Sequence, residues 1–228
     1  MEIDLSWHGL TQPGRGKEYF GIDPLPPFDP DREAFDPVNA FWLSEICRLF
    51  YRRNPNESSY RHGAKTREIF LAEAACEEIL FIGRQETQCA LLQSRAGPKP
   101  FAVLVFRGTT GFRNWLLDLD VRPGKMQDRA IVHRGFLESL QQVWRRLQPA
   151  LAGLDVPCFF TGHSMGGALA QLAATRFRPQ AVYSFGAPRV GDAGYAELMR
   201  PIRVYRVVNN RDIVAVLPPA SPILPFQP

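Results

Sequence analysis

The chain has 228 residues, 45% of them apolar and 22% charged, with a formal net charge of +4. That length accommodates one large α/β domain and is short for two, so residues 1–228 read as a single domain. Four of the 27 basic residues are lysines (Lys17, Lys65, Lys99, Lys125), and the arginines are scattered among acidic residues without a basic stripe. Nucleic acid is therefore not an expected partner.

Cys47, Cys76, Cys89 and Cys158 are widely spaced with no C-x-x-C pair, so neither a zinc site nor a disulfide framework is expected, and no metal or cofactor is called for. The N-terminus has no basic segment followed by an apolar one, and no 18-residue apolar run is present. A cytoplasmic setting is the default expectation, with export lacking a cleaved signal as the alternative.

In chain order, residues 1–37 form an irregular arm, rich in Gly, Pro and Asp after residue 11. Asp36-Pro37 marks a helix N-cap with proline at the first helical position, and Trp42, Leu43, Ile46, Leu49 and Phe50 then fall on one face. Residues 52–64 are polar. Ile79–Ile82 and Ala90–Leu92 predict an antiparallel hairpin. Phe101–Phe106 is an uninterrupted apolar strand, and Phe136–Leu151 a helix. The strand Pro157–Thr161 leads into Gly162-His163-Ser164-Met165-Gly166, followed by a helix rich in Ala and Leu. The strand Ala181–Phe185, a short helix over Gly191–Met199 and the strand Arg203–Val208 follow. Strands alternating with helices predict a mostly parallel central sheet flanked by helices. The last eleven residues contain five prolines and read as a loop.

Gly162–Gly166 fits G-x-S-x-G, in which the serine sits on a strained strand-to-helix turn and small residues on either side let backbones pass closely. A serine hydroxyl is inert at neutral pH, and it needs a base, an orienting acid and donors for an oxyanion. In an α/β-hydrolase arrangement the loop after Phe101–Phe106 supplies one donor, for which Thr109 is the candidate, and the Met165 amide supplies the other. Asp212, in the polar loop after Arg203–Val208, is the candidate acid. Its rival Asp192 opens a helix, where capping explains it.

Five blocks now coincide: Phe-Arg-Gly-Thr-Thr…Asn-Trp-Leu-Leu-Asp-Leu, Val-His-Arg-Gly-Phe, Gly-His-Ser-Met-Gly-Gly-Ala-Leu-Ala, Phe-Gly-Ala-Pro-Arg-Val-Gly-Asp and Asn-Arg-Asp-Ile-Val…Leu-Pro-Pro. Together, over residues 101–219, they resemble the class 3 (fungal-type) lipase family, and Asn39–Leu43 resembles the first helix of its bacterial branch. The resemblance implies an α/β-hydrolase fold. It also implies hydrolysis of carboxylic esters of acylglycerols through an acyl-enzyme on Ser164, with Asp212 as acid and Thr109 with Met165 as oxyanion hole. Gly111–Leu119 matches the start of the family's lid, and its apolar residues Phe112, Trp115, Leu116, Leu117 and Leu119 would cover the site or touch a lipid surface.

One part of the family pattern is not matched. Its catalytic histidine follows the aspartate, whereas His8, His62, His133 and His163 all precede Asp212. None of the four is expected to be the base, and the expectation is that the chain lacks the family's C-terminal part. A catalytically impaired lipase-like protein that binds acyl chains, a membrane surface or a protein partner is the alternative. A serine triad stripped of one member keeps about 10³–10⁴-fold catalysis over water.

Overall fold

The computed structural model describes residues 18–52, 65–84, 87–95, 99–108, 123–126, 130–209 and 212–218. Helix α1 (Pro37–Leu49) starts where the sequence places it. The Asp36 carboxylate accepts from the Val38 and Asn39 amides at 2.8 Å each, and Pro37 has no N–H that needs a partner. Its apolar face, Trp42, Leu43, Ile46 and Leu49, is buried. Residues 18–36 have no helix or strand, yet they belong to the core. Phe28 is fully buried and stacks on Phe101 with ring centroids 4.0 Å apart, and the Trp42 indole donates to the Pro26 carbonyl at 2.7 Å.

A short helix, α2 (Arg67–Glu73), leads into the main sheet. Strands β1 (Cys76–Arg84), β2 (Thr87–Ser94) and β3 (Phe101–Phe106) run antiparallel as a meander, so the predicted hairpin is present and longer than its two apolar runs. A two-stranded ribbon follows, β4 (Pro123–Lys125) with β5 (Ile131–His133), and then helix α3 (Arg134–Ala152). Strand β6 (Cys158–His163), helix α4 (Met165–Ala174), strand β7 (Ala181–Phe185), helix α5 (Ala193–Met199) and strand β8 (Val204–Val207) complete the alternation. A 3₁₀ turn spans Ile213–Val216. The main sheet has the order β1-β2-β3-β6-β7-β8, and it is parallel from β3 to β8. This is an α/β-hydrolase fold.

The sheet is covered on both faces, which explains the unbroken apolar runs. Along β3, Phe101, Val103 and Val105 pack with α1 and residues 18–36, whereas Ala102, Leu104 and Phe106 pack with α3 and α4. Helix α3 is amphipathic, presenting Phe136, Leu140, Val143, Leu147 and Leu151 to that second layer. Helix α4 is buried along its whole length, hence its Gly, Ala and Leu composition. Asp192 caps α5, accepting from the Tyr195 amide at 2.9 Å, so that helix begins two residues after Gly191.

Candidate active site at the carboxyl ends of the parallel strands

Strand β6 ends at His163 and helix α4 begins at Met165, which leaves Ser164 alone to make the reversal. It does so at φ 56° and ψ −128°, a conformation that costs a non-glycine residue about 1–3 kcal/mol. The flanking glycines make the turn sterically possible. A Cβ on Gly162 would overlap the main chain of Gly166, and one on Gly166 would overlap the Phe106 carbonyl of β3. Two hydrogen bonds fix the turn: the Ser164 amide to the Phe185 carbonyl at 2.9 Å, and the Gly167 amide to the Ser164 carbonyl at 2.9 Å. Ser164 is only 4% exposed, and its Oγ has no hydrogen-bond partner among the described residues.

Met165 is the first residue of α4, so its N–H has no carbonyl one turn back within the helix. It lies at the positive end of the helix dipole, beside the serine. Thr109 and Gly111–Leu119 lie outside the described residues. Gly108, just before Thr109, is described: a Cβ on it would stand 3.4 Å from the Ser164 Cβ and overlap the Tyr51 hydroxyl. The end of β3 therefore flanks the elbow, as an oxyanion loop requires.

Asp212 is held in a tight turn. Its amide donates to the Asn209 carbonyl at 2.9 Å, and its Oδ1 accepts from the Val214 amide at 2.9 Å. Its Oδ2 lies against Gly186, which follows β7 with φ +54°; a side chain there would strike the carboxylate. The same point lies 3.9 Å from Cδ2 of His163, so the aspartate and the imidazole share one glycine as neighbour. Two arginines that the sequence reading did not single out tie this turn down. Arg189 donates from its amide to Leu217 at 2.7 Å and from Nη1 to Pro218 at 3.0 Å. Arg206 bridges the Ala187 and Ala215 carbonyls at 2.9 and 3.2 Å. The rival Asp192 is occupied structurally, for its Oδ1 also accepts from the Ile131 amide at 3.1 Å, joining α5 to β5.

Two described histidines lie in this half of the molecule. Nδ1 of His163 is hydrogen-bonded to the Tyr51 hydroxyl at 3.0 Å. Burial pushes its pKa below the ordinary value, and the Asp212 charge opposes that shift only in part, so the ring is neutral near pH 7. His133 is buried and stacked on Phe136 at 4.2 Å. Neither ring is hydrogen-bonded to Ser164 Oγ. Tyr51 escaped the sequence reading because it lies just past α1, at a position with no periodic signal. Three apolar residues near Asp212 in the chain are exposed: Val208, Ile213 and Val216, at 47%, 61% and 53%.

Comparison with known proteins then decides the ancestry. A family model for class 3 lipases matches residues 103–221, which run from within β3 through the elbow to beyond Asp212. The chain belongs to the class 3 lipase family. Among similar proteins, a lipase from Rhizomucor miehei is 36% identical over 136 residues, covering 52% of this chain and 38% of the relative. A secreted mono- and diacylglycerol lipase from Fusarium solani is 33% identical over 130 residues, covering 51% and 39% respectively. The solved structure of the Rhizomucor miehei lipase propeptide complex superposes with a TM-score of 0.60 at 29% identity, over 68% of this chain and 55% of that one. The chain thus spans well under half the length of these two curated lipases.

Proposed function

We propose that this class 3 lipase homologue acts as a serine carboxylic-ester hydrolase on acylglycerols or related lipid esters. Ser164 is the nucleophile, Asp212 the orienting acid, and the Met165 and Thr109 amides the oxyanion donors. The observation that carries the reading is the backbone of Ser164. A non-glycine residue held at φ 56° between a parallel strand and a buried helix is strained, and that geometry projects a side chain off the end of the sheet.

In the proposed reaction, Ser164 Oγ forms a bond to the ester carbonyl carbon while its proton passes to a general base. The charge then resides on the former carbonyl oxygen, beside the Met165 amide and the dipole of α4. Collapse of this intermediate breaks the bond to the alcohol, which leaves with the proton, and water repeats the sequence on the acyl-enzyme. With His163 hydrogen-bonded to Tyr51 and His133 stacked on Phe136, neither is assigned as the base. Robust Ser164-dependent hydrolysis by the 228-residue chain would overturn the expectation that none of its four histidines is the base, and would make His8 and His62 the first positions to test. The names of the similar proteins, a lipase and a mono- and diacylglycerol lipase, support the substrate class.

The test is hydrolysis of a short-chain and a long-chain p-nitrophenyl ester by the 228-residue chain, with Ser164→Ala as control. Hydrolysis lost in Ser164→Ala supports the reading. Hydrolysis that survives Ser164→Ala overturns it. Absence of hydrolysis together with retained binding of a lipid ester favours instead a catalytically impaired, lipid-binding member of the family.

A further inference from the structure

On the helical face that holds α3 and α4, a groove of about 1010 Å³ opens between α3, the end of α4, α5 and the β4 ribbon. Its volume is at the upper end of the range of roughly 300–1,000 Å³ usual for small-molecule sites. The groove is separate from the elbow. It is lined at Thr175 and Arg176, just past α4, while Ser164 precedes the other end of that ten-residue helix. At 1.5 Å per residue, the two ends are about 15 Å apart.

The lining divides into two kinds of surface. Leu137, Trp144 and Leu198 supply an apolar wall, and Lys125, Arg176 and Arg178 supply three cations. No acidic side chain lines the groove among the described residues. The Arg176 guanidinium lies over the Trp144 ring, 5.4 Å from its centroid, and it makes no ion pair among the described residues. Burial pushes its pKa below the ordinary arginine range, consistent with a cation that lacks a compensating anion. Arg178 is anchored by one hydrogen bond, from Nη2 to the Pro201 carbonyl at 2.7 Å. The end of α4 contributes a partial negative charge of about half a unit, which three full positive charges exceed.

We propose that this groove binds a single-chain anionic amphiphile, a fatty-acid carboxylate, with its head between Arg176, Arg178 and Lys125 and its chain along Leu137, Trp144 and Leu198. Planar guanidinium groups match a carboxylate or a phosphate, and the Arg176 guanidinium over the Trp144 ring makes no ion pair among the described residues that would compete for that contact. The choice of carboxylate over phosphate rests on the ester-hydrolase reading above, whose product is a fatty acid. The sign and shape of the groove do not depend on it.

Calorimetric titration of the 228-residue chain with dodecanoate, below its micelle concentration, tests the proposal. Saturable binding is expected, with dodecyltrimethylammonium and inorganic phosphate each binding far more weakly, since one has the wrong sign and the other no chain. Arg176→Gln should weaken dodecanoate about tenfold, the loss of one charge-assisted contact. Lys125→Glu, at an exposed position where folding is not at risk, should weaken it as well. Binding of dodecanoate that is unaffected by both substitutions, or equal binding of the cationic amphiphile, overturns the proposal. Tighter binding of dodecyl phosphate than of dodecanoate overturns the carboxylate assignment. Hydrolysis assays read the elbow separately: groove binding in a chain without esterase activity would retain this proposal and reject only the catalytic one.

Discussion

Tyr51 and His163 lie 112 positions apart in sequence, yet the phenol oxygen of one is 3.0 Å from Nδ1 of the other. The bond joins the residue just past α1 to the residue immediately before Ser164, within the elbow. It fixes the imidazole beneath the turn, where the ring also faces Gly186 and, beyond it, Asp212.

Tyr51→Phe removes this bond while keeping the ring. A part-buried imidazole nitrogen is then left without its partner, a loss of about 1 kcal/mol. Denaturant unfolding should show a lower midpoint with an unchanged slope. An unaltered midpoint would mean that water replaces the hydroxyl at no cost.

His163 also sets a pH dependence. Its folded-state pKa is depressed, chiefly by burial, so the unfolded chain takes up this proton more readily than the folded one. Its contribution to stability is present in full above the unfolded value of about 6.5 and is lost as the pH falls from there through the folded pKa. Stability measured between pH 7 and 5 should therefore decline. His163→Gln should flatten that part of the profile, and an identical slope in the variant would assign the decline to other groups.

Asp212→Asn separates charge from shape. An asparagine oxygen still accepts from the Val214 amide, so the turn is retained and the unfolding midpoint should move little. If Asp212 orients the base, kcat on a p-nitrophenyl ester should fall by a factor on the order of 10³–10⁴. A loss of less than about tenfold would remove Asp212 from the catalytic machinery.

The cysteines should be silent. All four are free and buried. Burial pushes the thiols of Cys47 and Cys158 up to about 12 and that of Cys76 up to about 11, and it raises Cys89 as well. Thiolate is the reactive form, so a disulfide reagent at pH 8 should label none of them in the native state and all four after denaturation. Stoichiometric labelling of the native protein would show that helix α1 or one of strands β1, β2 and β6 opens readily.

The sequence revealed the parts whose chemistry is local. Pro37 and Asp36 announced a helix start, Phe101–Phe106 a strand covered on both faces, and Gly162–Gly166 a turn that only small residues permit. What it concealed depends on distant partners. The ribbon of Pro123–Lys125 with Ile131–His133 is too short for any period to register, and Ile131 is held by Asp192, far along the chain. Residues 18–36 have the composition of a loop, and it is the aromatic rings of Phe101, Phe159 and Trp42, all distant in sequence or on α1, that give Phe28 a buried seat. Arg189 and Arg206 carry no local signal of their role, because their carbonyl partners at Pro218, Ala187 and Ala215 are brought to them only by the fold. The candidate donor Thr109 and the lid-like stretch Gly111–Leu119 lie outside the described residues.

The change of strand direction at β3 imposes an order of assembly. On one side of it Arg84 pairs with Thr87 across a hairpin, and on the other Ala102 pairs with Cys158 only after β4, β5 and all of α3 have intervened. Closing a short loop costs far less chain entropy than closing a long one, so the antiparallel edge is the half able to form early. Until β6 docks, Phe101–Phe106 then presents an unsatisfied, strongly apolar edge to solvent, the arrangement most prone to intermolecular pairing. Pulsed hydrogen exchange during refolding should protect Ala90–Leu92 before Phe159–Thr161, and dilution should raise the refolding yield. Simultaneous protection of both segments would place the parallel pairing in the first step instead.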